Sequence, residues 1–344
     1  MTETPLIEAK NLSKFFTVSA GLFKEKRILR AVDEVSFAIK EGENVALVGE
    51  SGCGKSTLGK LLLGLLTPTS GSVLYRGKDI WSMSKREFRE FRRKAQIIHQ
   101  DPYSSINPVR TIFQSMAPAM IQHKIVRNKK EAFERAAELL RLVGLTPPED
   151  FLSRYPSRMS GGQMQRIILA RALSVNPEFI VADEAVSMLD ACLRIGVLDL
   201  MLDLQKKIKY SYLFITHDFA IARYFVKKGG GKIMVMYLGK IIEVGEGDSV
   251  IQKPIHPYTQ ALVAAIPVPD PKIARKRELP RLKSLDIPRL TEAIPGCKFN
   301  TRCPYAEKIC EEKIPELREV KDRLVACHFA ENFMNIHANF NWII

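Results

Sequence analysis

Nine residues early in the chain have the types and spacing to bind phosphate. Gly49, Glu50, Ser51, Gly52, Cys53, Gly54, Lys55, Ser56 and Thr57 follow the pattern G-x-x-x-x-G-K-[ST]. In that pattern glycines let backbone N–H groups converge on phosphate oxygens where a Cβ would block the approach. Lys55 would reach the β- and γ-phosphates and the Ser56 hydroxyl a Mg2+ ion, while a helix N-terminus adds partial positive charge. The flanks agree: VALV (45–48) reads as a buried strand, and residues 56–66 switch to helical patterning. A glycine-rich turn that merely contains a lysine is the plainer alternative, and it does not explain those flanks. The loop predicts a nucleotide site without saying which kind of nucleotide-dependent protein carries it.

Two further groups bear chemistry. FIVADE (179–184) is a buried-type strand ending in Asp183 and Glu184. Carboxyl ends of parallel strands face ligands, and neighbouring strand residues point opposite ways, so the two carboxylates could serve two roles. Asp183 would hold Mg2+ through its water shell, and Glu184 would polarise a water attacking the γ-phosphate. A strand-end turn is the bland reading of an isolated Asp-Glu pair. In YPSRMSGGQMQR (155–166), Ser160, Gly161, Gly162 and Gln163 open a helix and form a second anion-ready N-terminus without a lysine. The bland reading there is a serine N-cap with a flexible turn.

Strands alternating with helices must position these groups. LIEAKNL, VSFAIK, VALV, GSVLYRGKDI, QIIHQD, FIVAD and YLFIT read as strands; KREFREFRRK, most of 110–175 and LRIGVLDLMLDLQKKI read as helices. That alternation predicts an α/β core with parallel strands. Near 254 the composition shifts: prolines recur at 254, 257, 267, 269, 271, 280 and 288, as in an extended connector, before a segment with four of the six cysteines. The 344 residues carry 46% hydrophobic and 26% charged residues, which excludes a disordered or fibrous chain. The start of the chain does not read as a secretory signal, and no apolar run is long enough to span a bilayer. Cytoplasm is therefore the expected location.

Taken in order, the phosphate loop, Gln100 in IIHQDP, MSGGQ, VADE, SMLD (187–190) and His217 in FITHD match the motif series of ABC-transporter ATPases. From about residue 5 to 265 the chain resembles that family. The resemblance implies a P-loop NTPase core with an antiparallel β subdomain, a helical subdomain inserted at about 105–175 and a C-terminal cysteine-containing extension. It sets the ATPase domain at 1–253 and the extension at 254–344. It also implies that two ATPase subunits dimerise head to tail, with ATP between the loop of one and Ser160–Gln163 of the other. Gln100 would then sense metal and water and couple to membrane subunits, Asp190 would lie at the dimer interface, and His217 would contact the γ-phosphate. Lys55, Gln100, Glu184 and His217 form the expected catalytic set, and Ser56, Gln100 and Asp183 the expected Mg2+ ligands. Adenine would stack on Phe16, with Phe15 as the alternative and an ordinary core phenylalanine as the bland reading. The basic insertion GLFKEKRILR, just beyond Phe16, has no assigned role. Ala185 replaces the family's proline after the glutamate, and Met159 its leucine before Ser-Gly-Gly. The side chains that do chemistry are kept, which argues against a non-hydrolysing regulatory homologue.

The second half narrows the resemblance. VMYLGKIIEVG, HPYTQALVAAIPVPDP and GCKFNTRCPYAEKIC with a later ACH are similar to the oligopeptide/dipeptide uptake subfamily, and extend the likeness to about 330. Members also import nickel or oligosaccharides, so those substrates stay open. Cys297, Cys303, Cys310 and Cys327 are spaced C-x5-C-x6-C-x16-C, without the C-x2-C of common zinc sites. Four such thiolates could enclose a metal or an iron–sulfur cluster. Relatives with this tail resemble [4Fe–4S] binders, which makes that cluster the expected cofactor beside ATP and Mg2+; zinc, free thiols or a disulfide are the alternatives. Cys53 and Cys192 read as filler. The expected partners are a second ABC ATPase subunit (by family habit a paralogue), two transmembrane permeases and an extracytoplasmic substrate-binding protein, with this chain peripheral on the cytoplasmic membrane face. The net charge of +14 first suggests nucleic acid. Some ABC ATPases serve DNA repair or translation, but those carry coiled-coil insertions or paired ATPase domains, and neither occurs here. A basic face near ATP and an anionic leaflet accounts for the charge, and no nucleic acid is expected.

Overall fold

The computed structural model describes residues 4–19, 26–267, 271–272 and 280–334. Of the basic insertion, 21–25 lie outside the described residues, as do 268–270 and 273–279 of the connector and the segment 335–344. Two compact units are present, one made of Met1–Ile7, Ile39–Glu43 and Leu74–Ile215, the other of Glu8–Ala38, Asn44–Val73 and Thr216–Ile344.

In the first unit, the strand Phe179–Asp183 lies between Ala95–Ile98 and Ser211–Thr216, parallel to both, in registers Ala95↔Phe179 and Asp183↔Ile215. Its first four residues are buried, the near-continuous apolar run of a strand covered on both faces. Glu178 anchors the strand's start: it accepts hydrogen bonds from Tyr75 Oη (2.6 Å) and Lys94 Nζ (2.7 Å). The helices Ile112–Gln122, Lys129–Leu142, Pro148–Ser153 and Gly161–Leu173 pack on one another. Their starts are written locally. Thr111 and Gln114 form a reciprocal capping box, as do Ser160 and Gln163, while Asn128 caps the Lys129–Leu142 helix. Ala132, Ala136, Ala137, Leu139 and Leu140 give that helix one buried face at the 3.6-residue period.

In the second unit, the fully buried strand Asn44–Val48 runs parallel to Lys232–Tyr237, which pairs antiparallel with Lys240–Glu246. The chain's later part extends this sheet. Arg323–Val325 pairs antiparallel with Lys240–Glu246 (Glu243↔Val325), and Arg318–Val320 pairs with Arg323–Val325. The long strands Ile7–Ser19 and Lys26–Ile39 are neighbours in another sheet. The late segment has its own core of Ile255, Val320, Val325, Ala330 and Phe333, against which Cys327, Phe329 and Met334 pack.

A buried ion pair ties this segment down. The fully buried Glu243 accepts from Ile255 N (3.1 Å), His256 N (3.0 Å) and Arg323 Nη1 (3.4 Å). Arg323 also donates to the carbonyls of Ser249 (3.0 Å) and Lys253 (2.9 Å). Burial pushes the Glu243 carboxyl upward, and the backbone N–H groups and Arg323 oppose that. Removing one member of such a pair strands the other in a dry interior. Arg323→Met is therefore expected to destabilise the full chain by about 3–5 kcal/mol in urea unfolding; a loss below about 1 kcal/mol, the range of surface pairs, would contradict this.

Candidate nucleotide site

The phosphate loop lies in the second unit, between the strand Asn44–Val48 and the helix Lys55–Leu62. Two of its glycines are required by space. A Cβ on Gly49 would lie 2.2 Å from Met236 O, and one on Gly54, whose φ is +112°, would lie 1.9 Å from Ala31 O. Backbone therefore presses on both ends of the loop, and only glycine allows it. The side chain of Lys55 is buried and folds back along the loop: Nζ donates to Gly49 O (2.7 Å) and Glu50 O (2.9 Å) and lies 3.8 Å from Cys53 Sγ. An ammonium held by weak neutral acceptors at the mouth of a glycine loop can exchange them for phosphate oxygens. The Cys53 thiol is buried under Gly49 beside Lys55, and burial raises its pKa.

His217 and Phe16 belong to the same unit. His217 is exposed directly after the strand Ser211–Thr216, where Asp218 caps the next helix by accepting from Ala220 N (2.8 Å) and Ile221 N (3.2 Å). Phe16 is half-buried with Lys14 Nζ 5.2 Å from its ring centroid, so it is not a core phenylalanine. Phe15 carries Arg30 over its ring instead.

The first unit holds the other expected residues. Asp183 ends the central strand, and Glu184 comes next with a left-handed φ of 51°, uncommon for a residue with a Cβ. That conformation is held by Glu184 N donating to Ile215 O (2.9 Å) and by Glu184 O accepting from Ser187 N (3.1 Å) and Ser187 Oγ (2.9 Å). Such backbone strain persists where surrounding structure enforces it, often at working sites. Ala185 is buried in the turn. Arg194 fixes the end of this turn, donating to Leu189 O (2.7 Å) and Ser187 O (3.0 Å). Asp190 is then exposed at the start of the Ala191–Ile208 helix, without a side-chain cap bond.

Gln100 is exposed just past the strand Ala95–Ile98. The loop after it is tied to the Ser160 region: Tyr103 Oη donates to Met159 O (2.8 Å), and Arg171 Nη1 donates to Ser105 O (2.6 Å). Ser160 serves as an N-cap, its Oγ accepting from Gln163 N (3.3 Å) while Gln163 Oε1 accepts from Ser160 N (3.0 Å). The bland N-cap reading is thus correct as geometry, and the exposed helix start remains available to an anion.

The four late cysteines line one small cavity with Phe299, Tyr305 and Phe333. None is disulfide-bonded. Burial pushes Cys297 up to about 11 and Cys327 up to about 12. Among the described residues, no three His, Cys, Asp or Glu side chains are arranged to hold one metal ion. The geometry therefore lends no support to the expected [4Fe–4S] ligand set or to the zinc alternative; it shows four free thiols that share a cavity.

Two contacts to the loop join residues that sequence reasoning does not connect. Glu50 N–H donates to Tyr258 Oη (3.0 Å), and the Glu50 carboxylate takes a two-pronged ion pair from Arg302 (2.9 and 3.1 Å). A usable signal exists: a carboxylate inside a phosphate loop requires a cation somewhere.

The chain matches the family model described as ABC transporter over residues 32–187, and that described as oligopeptide/dipeptide transporter, C-terminal region, over residues 242–310. It is 46% identical over 333 residues to a putative oligopeptide transport ATP-binding protein of Bacillus subtilis, YkfD, covering 96% of this chain and 98% of the relative. It is 41% identical over 335 residues to the di/tripeptide transport ATP-binding protein DppF of Pseudomonas aeruginosa, covering 96% and 99%. The fold resembles the ATP-binding cassette MJ0796, solved as a dimer in a post-hydrolysis state with ADP and Pi, at 28% identity and a TM-score of 0.60, covering 70% of this chain and 98% of that one. With the loop, the Glu184 turn and the Ser160 helix start in place, these likenesses settle the family: the chain is an ABC-transporter ATPase.

Proposed function

We propose that this chain hydrolyses ATP to drive import of oligopeptides or dipeptides through a membrane ABC transporter. One observation carries the reading: the Lys55 loop and the oligopeptide/dipeptide C-terminal region occur in one chain, whose relatives named for peptide transport match it nearly end to end.

In this reading backbone N–H groups of the Gly49–Thr57 loop other than that of Glu50 wrap the phosphates, and Lys55 exchanges its loop carbonyls for β- and γ-oxygens. Phe16 stacks the adenine. Ser56, Gln100 and Asp183 are the residues that would hold Mg2+, which would offset negative charge on the phosphates. Glu184, set by its strained turn, accepts a proton from the attacking water, and His217 hydrogen-bonds the γ-phosphate. The exposed Ser160–Gln163 helix start acts on ATP held by a second ATPase subunit, a paralogue, with Asp190 at that interface. The Gln100 loop, braced on the Ser160 region by Tyr103, relays the state of the nucleotide to two transmembrane permeases. An extracytoplasmic binding protein delivers the peptide. No helix among the described residues is long and apolar enough to cross a membrane. The chain then acts as a peripheral subunit at the cytoplasmic face of the membrane.

The domain limits accord with the same reading, with the ATPase domain at 1–253, its helical subdomain at about 105–175, and the extension from 254 onward. In the extension, Cys297, Cys303, Cys310 and Cys327 would hold a [4Fe–4S] cluster of structural or sensory role. Its support is the donor chemistry alone, four thiols that line one cavity.

Glu184→Gln is expected to keep ATP affinity while phosphate release falls by about 10^2–10^4, the usual weight of a general base; unchanged turnover would sink the assignment. Anaerobically purified chain is expected to carry near-stoichiometric iron and acid-labile sulfide, lost in Cys310→Ser. Iron-free protein with four reactive thiols would rule the cluster out.

A further inference from the structure

Glu50 is an odd residue for its position. It is the second residue of a loop that gathers phosphate, and a free carboxylate there would repel the ligand. Its side chain is mostly buried, at 18% exposure, and Arg302 opposite it is at 6%. The guanidinium meets the carboxylate with both forks, Nη1 to Oε2 at 2.9 Å and Nη2 to Oε1 at 3.1 Å, the geometry that separates an arginine pair from a lysine one. The remaining Nε of Arg302 is buried and unpartnered. A guanidinium that leaves one N–H unsatisfied in the interior is held there by what its other nitrogens do.

Arg302 is aimed by its surroundings. Its guanidinium carbon lies 5.8 Å from the ring centroid of Tyr237 and 5.6 Å from that of Phe299. Phe299 and Tyr237 both pack on Tyr258, at centroid distances of 5.4 and 4.4 Å, and Tyr258 Oη accepts the Glu50 N–H. Glu50 is therefore gripped at its backbone by one residue of the late segment and at its carboxylate by another. Arg302 also stands in the turn that presents the thiols. Cys303 N and Arg302 N both donate to Phe299 O (2.8 and 3.0 Å), and Asn300 N donates to Cys297 O (3.0 Å). Any change in how that turn is folded moves the guanidinium.

We propose that Arg302 is a positioning residue for ATP binding: from the cysteine-bearing turn it neutralises and orients Glu50, and so makes the nucleotide affinity of the phosphate loop depend on the C-terminal segment. The proposal rests on the reading that the Gly49–Thr57 loop binds ATP. It does not require the thiols to hold a metal. Its distinctive consequence is that the harm done by losing Arg302 comes from a stranded carboxylate, so removing that carboxylate should undo it.

The test uses the full-length chain and measures the Kd for ATP by calorimetry alongside the KM and kcat of hydrolysis. Arg302→Met is expected to weaken ATP binding at least tenfold and raise KM in parallel, with a smaller change in kcat. Adding Glu50→Gln to Arg302→Met is expected to bring Kd back to within threefold of the unaltered chain, which a purely structural role for Arg302 would not allow. Should Arg302→Met fail to fold by circular dichroism, Arg302→Gln takes its place in the same pair of measurements, with the same tenfold loss and the same rescue by Glu50→Gln expected because the charge is again removed. Unaltered affinity in the arginine variant, or weakened affinity that Glu50→Gln leaves weakened, overturns the proposal. Failure of the unaltered chain to bind ATP would instead strike the functional reading beneath it.

Discussion

Two backbone carbonyls set the terms for the phosphate loop. Ala31 O and Met236 O stand where Cβ atoms of residues 54 and 49 would be, so the loop can close only with glycine at both places. Met236 can press on Gly49 because its strand, Lys232–Tyr237, runs beside Asn44–Val48 in parallel register, Val48 opposite Val235. The loop's curvature is thus tied to strand pairing. Lys55 completes the arrangement from within, its ammonium resting on the loop's own carbonyls. The second unit therefore provides a cradle that is shaped in advance, which limits the ordering that ligand binding must accomplish.

The first unit is built on a related logic of enforced backbone. Glu184 takes a left-handed conformation directly after a buried strand, and three hydrogen bonds to its own N–H and C=O hold it there. Arg194 then pins the end of the turn through two carbonyls. The Glu184 turn is held by hydrogen bonds that do not involve its side chain. The Gln100 loop and the Ser160 helix start are likewise joined by Tyr103 and Arg171 rather than left as separate motifs.

Much of this is legible in the sequence because the decisive signals are local. The glycine loop sits between an apolar run and a helical pattern, FIVAD is a continuous buried run, and the caps at Thr111 and Ser160 are fixed by residues three positions on. The features that sequence reasoning misses depend on distant partners. Arg318–Val320 and Arg323–Val325 are short and partly charged, and they are strands only because Lys240–Glu246 offers an edge to pair with. Arg302 and Glu50 are 252 residues apart, and no periodicity connects them. Cys53 reads as filler because burial beside a lysine leaves no trace in spacing. The strands Ile7–Ser19 and Lys26–Ile39 also run longer than their apolar cores suggest, since polar residues can occupy an exposed sheet face.

Hydrolysis by this ABC-transporter ATPase is spent on moving peptide. The direct measurement is uptake of a labelled oligopeptide into proteoliposomes holding this chain with its partner ATPase subunit and permeases, supplied with the binding protein and ATP. The expected result is peptide accumulation that requires ATP, together with hydrolysis stimulated by the peptide-loaded binding protein. Hydrolysis that proceeds at the same rate with and without the loaded binding protein, with no peptide accumulated, would contradict it.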